Sequence, residues 1–215
     1  MEKIILIKPN LSYADKITKY KEESLKENPL INGAAGLDNF SSIKDWLEEL
    51  KKRSSEATVP EGLVPSSTYL GVREKDNYIV GMIDIRHYLN NFLKQFGGNI
   101  GYSVRKSERN KGYAKQMLEL ALEKCKDLKM KKVLITCDED NIASEKVILS
   151  ANAKFEDIRN VDGENKNSTY SSKCYFAFLL YFFTMIIILL LLPKNIYVIL
   201  LYFIYINNYS FLIVF

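Results

Sequence analysis

Hydrophobic residues change their spacing several times along the chain, and each change marks an element. Ile4–Lys8 is a short apolar run closed by Pro9 and predicts a strand. Tyr13 to Lys26 predicts a polar helix with Ile17, Tyr20 and Leu25 on its apolar side. A flexible turn follows at Ile31–Leu37. Ser41-Ser42 then offers an N-cap, and Ile43, Trp46, Leu47 and Leu50 stand at i, i+3, i+4 and i+7, one face of a helix. Arg53–Ser67 holds two prolines and reads as a loop. Thr68–Arg73 and Tyr78–Arg86 read as a hairpin. Leu89, Phe92, Leu93 and Phe96 predict one or two helical turns, broken at Gly97-Gly98.

The tempo then becomes regular. Ile100–Arg105 predicts a strand, Lys106–Lys111 a charged loop, and Gly112 to Leu128 a helix with Ala114, Met117, Leu118, Ala121, Leu122 and Cys125 as its apolar stripe. Lys131–Cys137 predicts a buried strand, Ile142 to Ala151 a short helix, and Phe155–Ile158 the start of another strand. Strand, helix, strand in this order implies a β-α-β crossover with two parallel strands, hence an α/β fold.

Composition divides the chain in two. Of the 42 residues 174–215, 35 are hydrophobic and Lys194 is the only charged one, whereas the preceding 173 carry the other charges. Residues 1–160 therefore read as one domain, 161–173 as a polar linker, and 174–215 as a hydrophobic tail. Cys174–Leu192 would span roughly 28 Å as a helix, close to a bilayer core, and Ile196–Phe215 offers a weaker second span. Lys166 and Lys173 precede the first span and would keep the domain in the cytoplasm. Ile4–Ile7 is too short for a signal-peptide core. The tail's Phe, Ile, Leu, Tyr and Asn are also written by A/T-rich codons. It reads either as a membrane anchor or as the product of a shifted reading frame.

Charge and cysteine content narrow the chemistry. The net charge of +4 is small and its signs are interspersed, which speaks against nucleic acid as a partner. Cys125, Cys137 and Cys174 show no C-x-x-C spacing, and His87 is the only histidine, so no zinc site is expected and the thiols are expected reduced and mostly buried. The junction Arg109-Asn110-Lys111-Gly112-Tyr113-Ala114 is the most informative segment. It joins a strand to a helix N-terminus, where free backbone N–H groups and the helix dipole favour an anion, typically a phosphate. Gly112 permits close backbone approach, Ala114 keeps the next turn slim, and Arg109 and Lys111 add charge.

In its setting, GYSVR-x3-R-x-x-G-Y-A followed by VLITCDEDNIASEKVI, this loop resembles the central motif of the GNAT superfamily of acetyl-CoA-dependent N-acetyltransferases. Together with Ile83–Asn90 and Gly97–Arg105, the resemblance is to a bacterial branch of that superfamily and covers residues 1 to about 159. It implies a mixed sheet flanked by helices and a reaction in which a primary amine attacks acetyl-CoA, with no metal. The acceptor would be a small-molecule or peptide amine. By resemblance, the backbone of Arg109, Asn110, Lys111, Gly112, Tyr113 and Ala114 would hold the pyrophosphate of CoA. Tyr102, Ser103 and Val104 would pair with the pantetheine arm, the Val104 amide polarising the thioester carbonyl. Asn141 would meet the cofactor, or serve only as a helix cap, with Ser144 nearby.

The resemblance also shows departures. Many members place a tyrosine acid in the helix after the Asn; Ile142–Ala151 contains none. Ser144 or a water would substitute, or the thiolate would leave unaided. Asp84, His87 and Glu108 are the candidate bases, with Glu108 better read as a solvated loop charge. Ala151-Asn152-Ala153 replaces a usual glycine before the next strand. The superfamily sheet ends with further strands, whereas Asn160–Lys173 reads as a polar stretch, so the last strands are expected to be missing. Two alternatives to an active acetyltransferase follow: a catalytically impaired acetyl-CoA-binding relative, or a membrane protein with a passenger soluble domain.

Overall fold

The amphipathic segments meet on the two faces of one sheet. The structure, a computed structural model, describes residues 2–161 and 165–173. The strands are β1 (Ile4–Ile7), β2 (Ser66–Arg73), β3 (Tyr78–Arg86), β4 (Ile100–Val104), β5 (Lys132–Asp138), β6 (Lys154–Val161) and β7 (Asn165–Lys173). The helices are α1 (Ala14–Leu25), α2 (Ile43–Arg53), α3 (Tyr113–Asp127) and α4 (Ile142–Ser150). Across the sheet the order is β1-β2-β3-β4-β5-β7-β6. β4 and β5 run parallel, joined through α3 as the crossover pattern predicts. The other neighbouring pairs are antiparallel.

Each face has its own core. On one, Met117, Leu118, Ala121 and Cys125 of α3 and Ile148 of α4 pack on Ile83, Ile85, Ile100, Val133 and Ile135. On the other, Ile17 and Tyr20 of α1 and Trp46 and Leu47 of α2 pack on Leu70, Val72, Ile79 and Met82. Removing such a side chain from water stabilises the fold by about 1.5–3 kcal/mol. The cap of α2 is Ser42, whose Oγ accepts from the Asp45 N–H. Trp46 is fully buried and donates from Nε1 to Ala34 O at 3.0 Å, which fixes the turn at Ile31–Leu37 against the sheet.

The C-terminal half of the sheet corrects one expectation. The strands thought to be missing are present, and Asn165–Lys173, read as linker, is β7. It lies between β5 and β6 and pairs with β5 from Lys132↔Lys173 to Asp138↔Asn167. Its Thr169 and Tyr170 side chains suit the interior because they are bonded. Thr169 is fully buried and its Oγ1 accepts from the Asp157 N–H at 3.2 Å. Tyr170 is buried and its hydroxyl donates to Glu145 Oε1 at 2.8 Å. The missing glycine before β6 is replaced by Asn152, which adopts the left-handed conformation at φ 57°; asparagine tolerates this region better than most residues. Among the described residues, no helix is long and apolar enough to cross a membrane. The expected spans in 174–215, and Cys174, lie outside the described residues.

Candidate active site

β4 and β5 touch at one point and then part. Their register consists of Ile100↔Ile135 alone, although β4 continues to Val104 and β5 to Asp138. The outer edge of each strand is fully engaged, β4 with β3 and β5 with β7. Arg86 N–H donates to Asn99 O and Arg105 N–H to Val80 O, both at 2.8 Å. In an alternating antiparallel ladder this turns the backbone of Gly101 and Ser103 toward β3, and that of Tyr102 and Val104 toward the opening. The result is a V-shaped gap whose β4 wall offers amide groups to an extended ligand. Ser103 is turned away from it. Its hydroxyl bonds to Asn32 O and lies 3.0 Å from the Tyr20 hydroxyl.

At the wide end of the gap stands the N-terminus of α3. Gly112 caps it at φ 82°, ψ 4°, with no side-chain cap, and Asn110 is also left-handed at φ 60°. The Gln116 N–H closes on Gly112 O, so the N–H groups of Tyr113, Ala114 and Lys115 precede the first intrahelical bond of the turn. Arg109 arches over the strand end, its Nε donating to Val104 O at 3.2 Å. Arg109 Nη2 and Lys106 Nζ both pair with Glu27, at 2.9 and 3.1 Å. The Lys106 bond, with the Arg109 charge adding to it, holds the Glu27 carboxyl below its ordinary range. A cleft lined by Glu27, Asn28, Ser103, Val104, Lys106 and Arg109 runs beside the loop. Tyr113 is buried and its hydroxyl accepts from Arg73 Nη1 at 3.3 Å.

Below the gap, on the α3–α4 face, three protic side chains from three elements converge. The Tyr102 hydroxyl lies 2.8 Å from Ser144 Oγ. Asn141 is the N-cap of α4 and its Oδ1 accepts from the Ser144 N–H at 3.0 Å. Cys137 of β5 lies close to Ser144 as well. Burial pushes the Tyr102 phenol up to about 12, against the pull of its bond to Ser144. Burial likewise pushes the Cys137 thiol up to about 11, with Glu145 and Asp138 adding to it. Both groups are therefore neutral across the ordinary pH range.

Sequence and structure comparisons bear on this arrangement. The acetyltransferase (GNAT) domain family matches residues 35–154, more than half of the chain. The chain belongs to the GNAT acetyltransferase family. No curated protein matches it. Among solved structures, Mycobacterium smegmatis RimJ in complex with a CoA disulfide aligns with a TM-score of 0.58 at 16% identity, covering 79% of this chain and 81% of that one. A Salmonella typhimurium acetyltransferase that modifies the N-terminal serine of ribosomal protein L7/L12 aligns at 0.55 and 14% identity, over 79% and 94%. A GNAT-family acetyltransferase from Bacillus anthracis gives 0.55 and 15%, over 80% and 96%. At these identities the likeness is one of fold.

The remaining candidates of this GNAT domain lie apart from the Tyr102–Ser144 group, Asp84 on the other face of the sheet. Asp84 pairs with Gly101 across β3 and β4, but its carboxylate is buried, accepting from Thr68 Oγ1 at 2.8 Å and facing Arg86 Nε at 3.3 Å. This candidate base is therefore already engaged and closed to solvent. Arg86 itself was missed; its guanidinium lies over Gly101 and donates to Gly97 O. His87, just past β3, is half-buried with Nε2 2.9 Å from Ser67 Oγ. Burial lowers its pKa, with the nearby Asp84 charge working the other way. The structure does not bring His87 to Ser144, since it lies beyond the closed end of the gap. Glu108 is not a solvated charge. It is buried and bridges Arg73 Nη1 at 2.9 Å and Lys111 Nζ at 3.1 Å. No cluster of potential metal ligands occurs among the described residues.

Proposed function

We propose that this GNAT domain transfers the acetyl group of acetyl-CoA to a primary amine. The observation that carries the reading is the single-point contact of β4 and β5, opening onto the left-handed Gly112 at the head of α3. The pyrophosphate would rest on the N–H groups of the Arg109–Ala114 loop, where Asn110, Lys111, Gly112, Tyr113 and Ala114 present backbone rather than side-chain contacts. Arg109 supplies charge once it leaves Glu27. The pantetheine arm would run as an added strand along β4, bonded to Tyr102 and Val104, with the Val104 amide available to the thioester carbonyl. Ser103 takes no part in that ladder, and Asn141 acts by holding Ser144.

The amine approaches on the Gly101 side, beneath Arg86. Its nitrogen attacks the carbonyl carbon, the carbon–sulfur bond breaks, and CoA leaves as the thiolate. His87, neutral through burial, takes the ammonium proton by way of water. Asp84, already engaged by Thr68 and Arg86, orients the guanidinium rather than accepting that proton. The peptide-acetylating neighbours make a peptide N-terminus the first acceptor to test. The impaired-relative alternative named missing last strands and a shifted reading frame in the tail; β6 and β7 are present, and the tail lies outside the described residues. The membrane alternative concerns 174–215 alone.

Calorimetry with acetyl-CoA, followed by thiol release on a panel of amines, tests the proposal. Saturable binding with amine-dependent release is expected. Absence of binding by the folded full chain would overturn it.

A further inference from the structure

β4 carries a bare spot on the side from which the amine is proposed to approach. Gly101 has no side chain to place there, and the position its β-carbon would take is ringed by nitrogen. Arg86 Nη1 and Nη2 each lie 3.3 Å from that position, and Gly33 N, in the turn before α2, lies 3.4 Å from it. The guanidinium is fixed from behind. Its Nε faces Asp84 Oδ2 at 3.3 Å, its Nη1 donates to Gly97 O at 3.1 Å, and Asp84 is held in turn by Thr68 Oγ1. These contacts leave hydrogens over, since a guanidinium carries five N–H groups. Among the described residues, no group accepts from Arg86 Nη2 or from the N–H of the buried Gly33. A buried backbone donor without a partner is rare in a folded protein. The Arg86 side chain keeps 25% of its surface exposed, so a ligand can reach it. Three nitrogens around a space of one atom, with hydrogens to spare, form a seat for one oxygen.

We infer that Arg86 and Gly33 read a carbonyl oxygen attached next to the carbon that bears the acceptor amine, so that the acceptor is an α-amino acyl compound: an amino-acid amide or the N-terminus of a peptide. The inference rests on the acetyl-CoA reading above. Charge selects the carbonyl. Asp84 already balances Arg86, so a neutral oxygen suits the seat. A free carboxylate would add a second negative charge, and a polyamine a second positive one beside the guanidinium. Proton chemistry selects the same class. An α-amine ionises at about 7.7–8.0, against about 10.4 for a lysine side chain. Part of it is therefore neutral and nucleophilic near neutral pH. That matters here because the buried carboxylates are engaged, Asp84 with Thr68 and Arg86, and Glu108 with Arg73 and Lys111. Holding the oxygen also aims the nitrogen, since one rotatable bond separates the two.

The test compares acceptors on the full-length protein saturated with acetyl-CoA, read by thiol release and taken per unprotonated amine. Amino-acid amides and short peptides with free N-termini should exceed alkylamines of matching shape in kcat/KM by about tenfold to a hundredfold, the usual worth of a hydrogen bond to a charged group. Free amino acids and spermidine should be poor acceptors. Gly101→Ala places a methyl group in the seat without touching the Asp84–Arg86 pair. It should cut kcat/KM for the amides and narrow their lead over the alkylamines, while acetyl-CoA binding measured by calorimetry is retained. Arg86→Lys keeps a charge beside Asp84 but loses the fork of donors, and should narrow the lead likewise. Amides no better than alkylamines, a free amino acid better than its own amide, or a Gly101→Ala variant as selective as the parent would each overturn this inference while leaving the cofactor assignment standing. Failure of the folded parent to bind acetyl-CoA would overturn both.

Discussion

Gly112 shows how much one residue can carry. Its φ of 82° is costly for any residue with a β-carbon, and a carboxylate there would compete with and repel the phosphate that the surrounding N–H groups favour. Gly112→Glu should abolish acetyl-CoA binding measured by calorimetry, with the fold retained by circular dichroism. Glu27 makes the opposite prediction. It holds both Arg109 and Lys106 in the unliganded protein. Glu27→Gln should release both cations, tighten acetyl-CoA binding and steepen its salt dependence in the same titration. His87 sets a pH dependence. Burial lowers its folded pKa below the unfolded value of about 6.5, so the unfolded chain binds the proton more readily. Its contribution to stability is complete above about 6.5 and is lost as pH falls below that value. Urea midpoints measured across pH should show the decline, and His87→Gln should flatten it. In the same range, kcat/KM should lose its acidic limb at a pH below that of an ordinary histidine, and the limb should vanish in the variant.

Elements differ in how plainly the sequence announces them. α2 and α3 are legible because burial falls on residues at helical spacing, and the Ser42 cap is a local signal. Trp46 illustrates the energetics. Trp46→Ala removes a fully buried indole and its bond to Ala34 O, and should cost about 3–5 kcal/mol in chemical denaturation. β7 is illegible for an equally physical reason. Its residues, Asn165–Lys173, lack aliphatic side chains, and its buried Thr169 and Tyr170 are satisfied by hydrogen bonds to Asp157 and Glu145 that no local pattern foretells. Amide hydrogen exchange offers the check. Protection at Thr169–Ser172 should match that of β5; exchange as fast as in the exposed Glu56–Gly62 segment would return the stretch to a linker.

At the scale of the whole molecule, the Arg109–Ala114 loop and the parallel pair could be read from sequence because each is contiguous. The hydroxyl pair could not, because Tyr102 and Ser144 meet only after β4, α3, β5 and α4 have packed. Nor could the burial of Asp84 and Glu108, whose partners Thr68 and Arg73 stand elsewhere in the chain. Gly33 shows the same long-range dependence. A β-carbon there would overlap Gly101 O and Tyr102 Cα, so the turn before α2 lies directly on the β4 wall. Gly33→Ala should therefore lift the turn off β4 and impair both stability and acetyl transfer, which a paired measurement of urea midpoint and turnover would resolve.

The position of β7 has a consequence for synthesis on the ribosome. The last strand of this sheet to be made is an interior one, inserted between β5 and β6. Until Lys173 has been added, the edge of β5 from Lys132 to Asp138 has no partner on that side. At about 5–20 residues per second, the stretch from Glu139 to Lys173 takes roughly 2–7 s to make. For that interval the nascent chain presents an unpaired strand bearing Val133, Leu134 and Ile135, a template for pairing with a neighbouring chain. The yield of native protein should therefore depend on what shields that edge during elongation, whatever the stability of the finished fold.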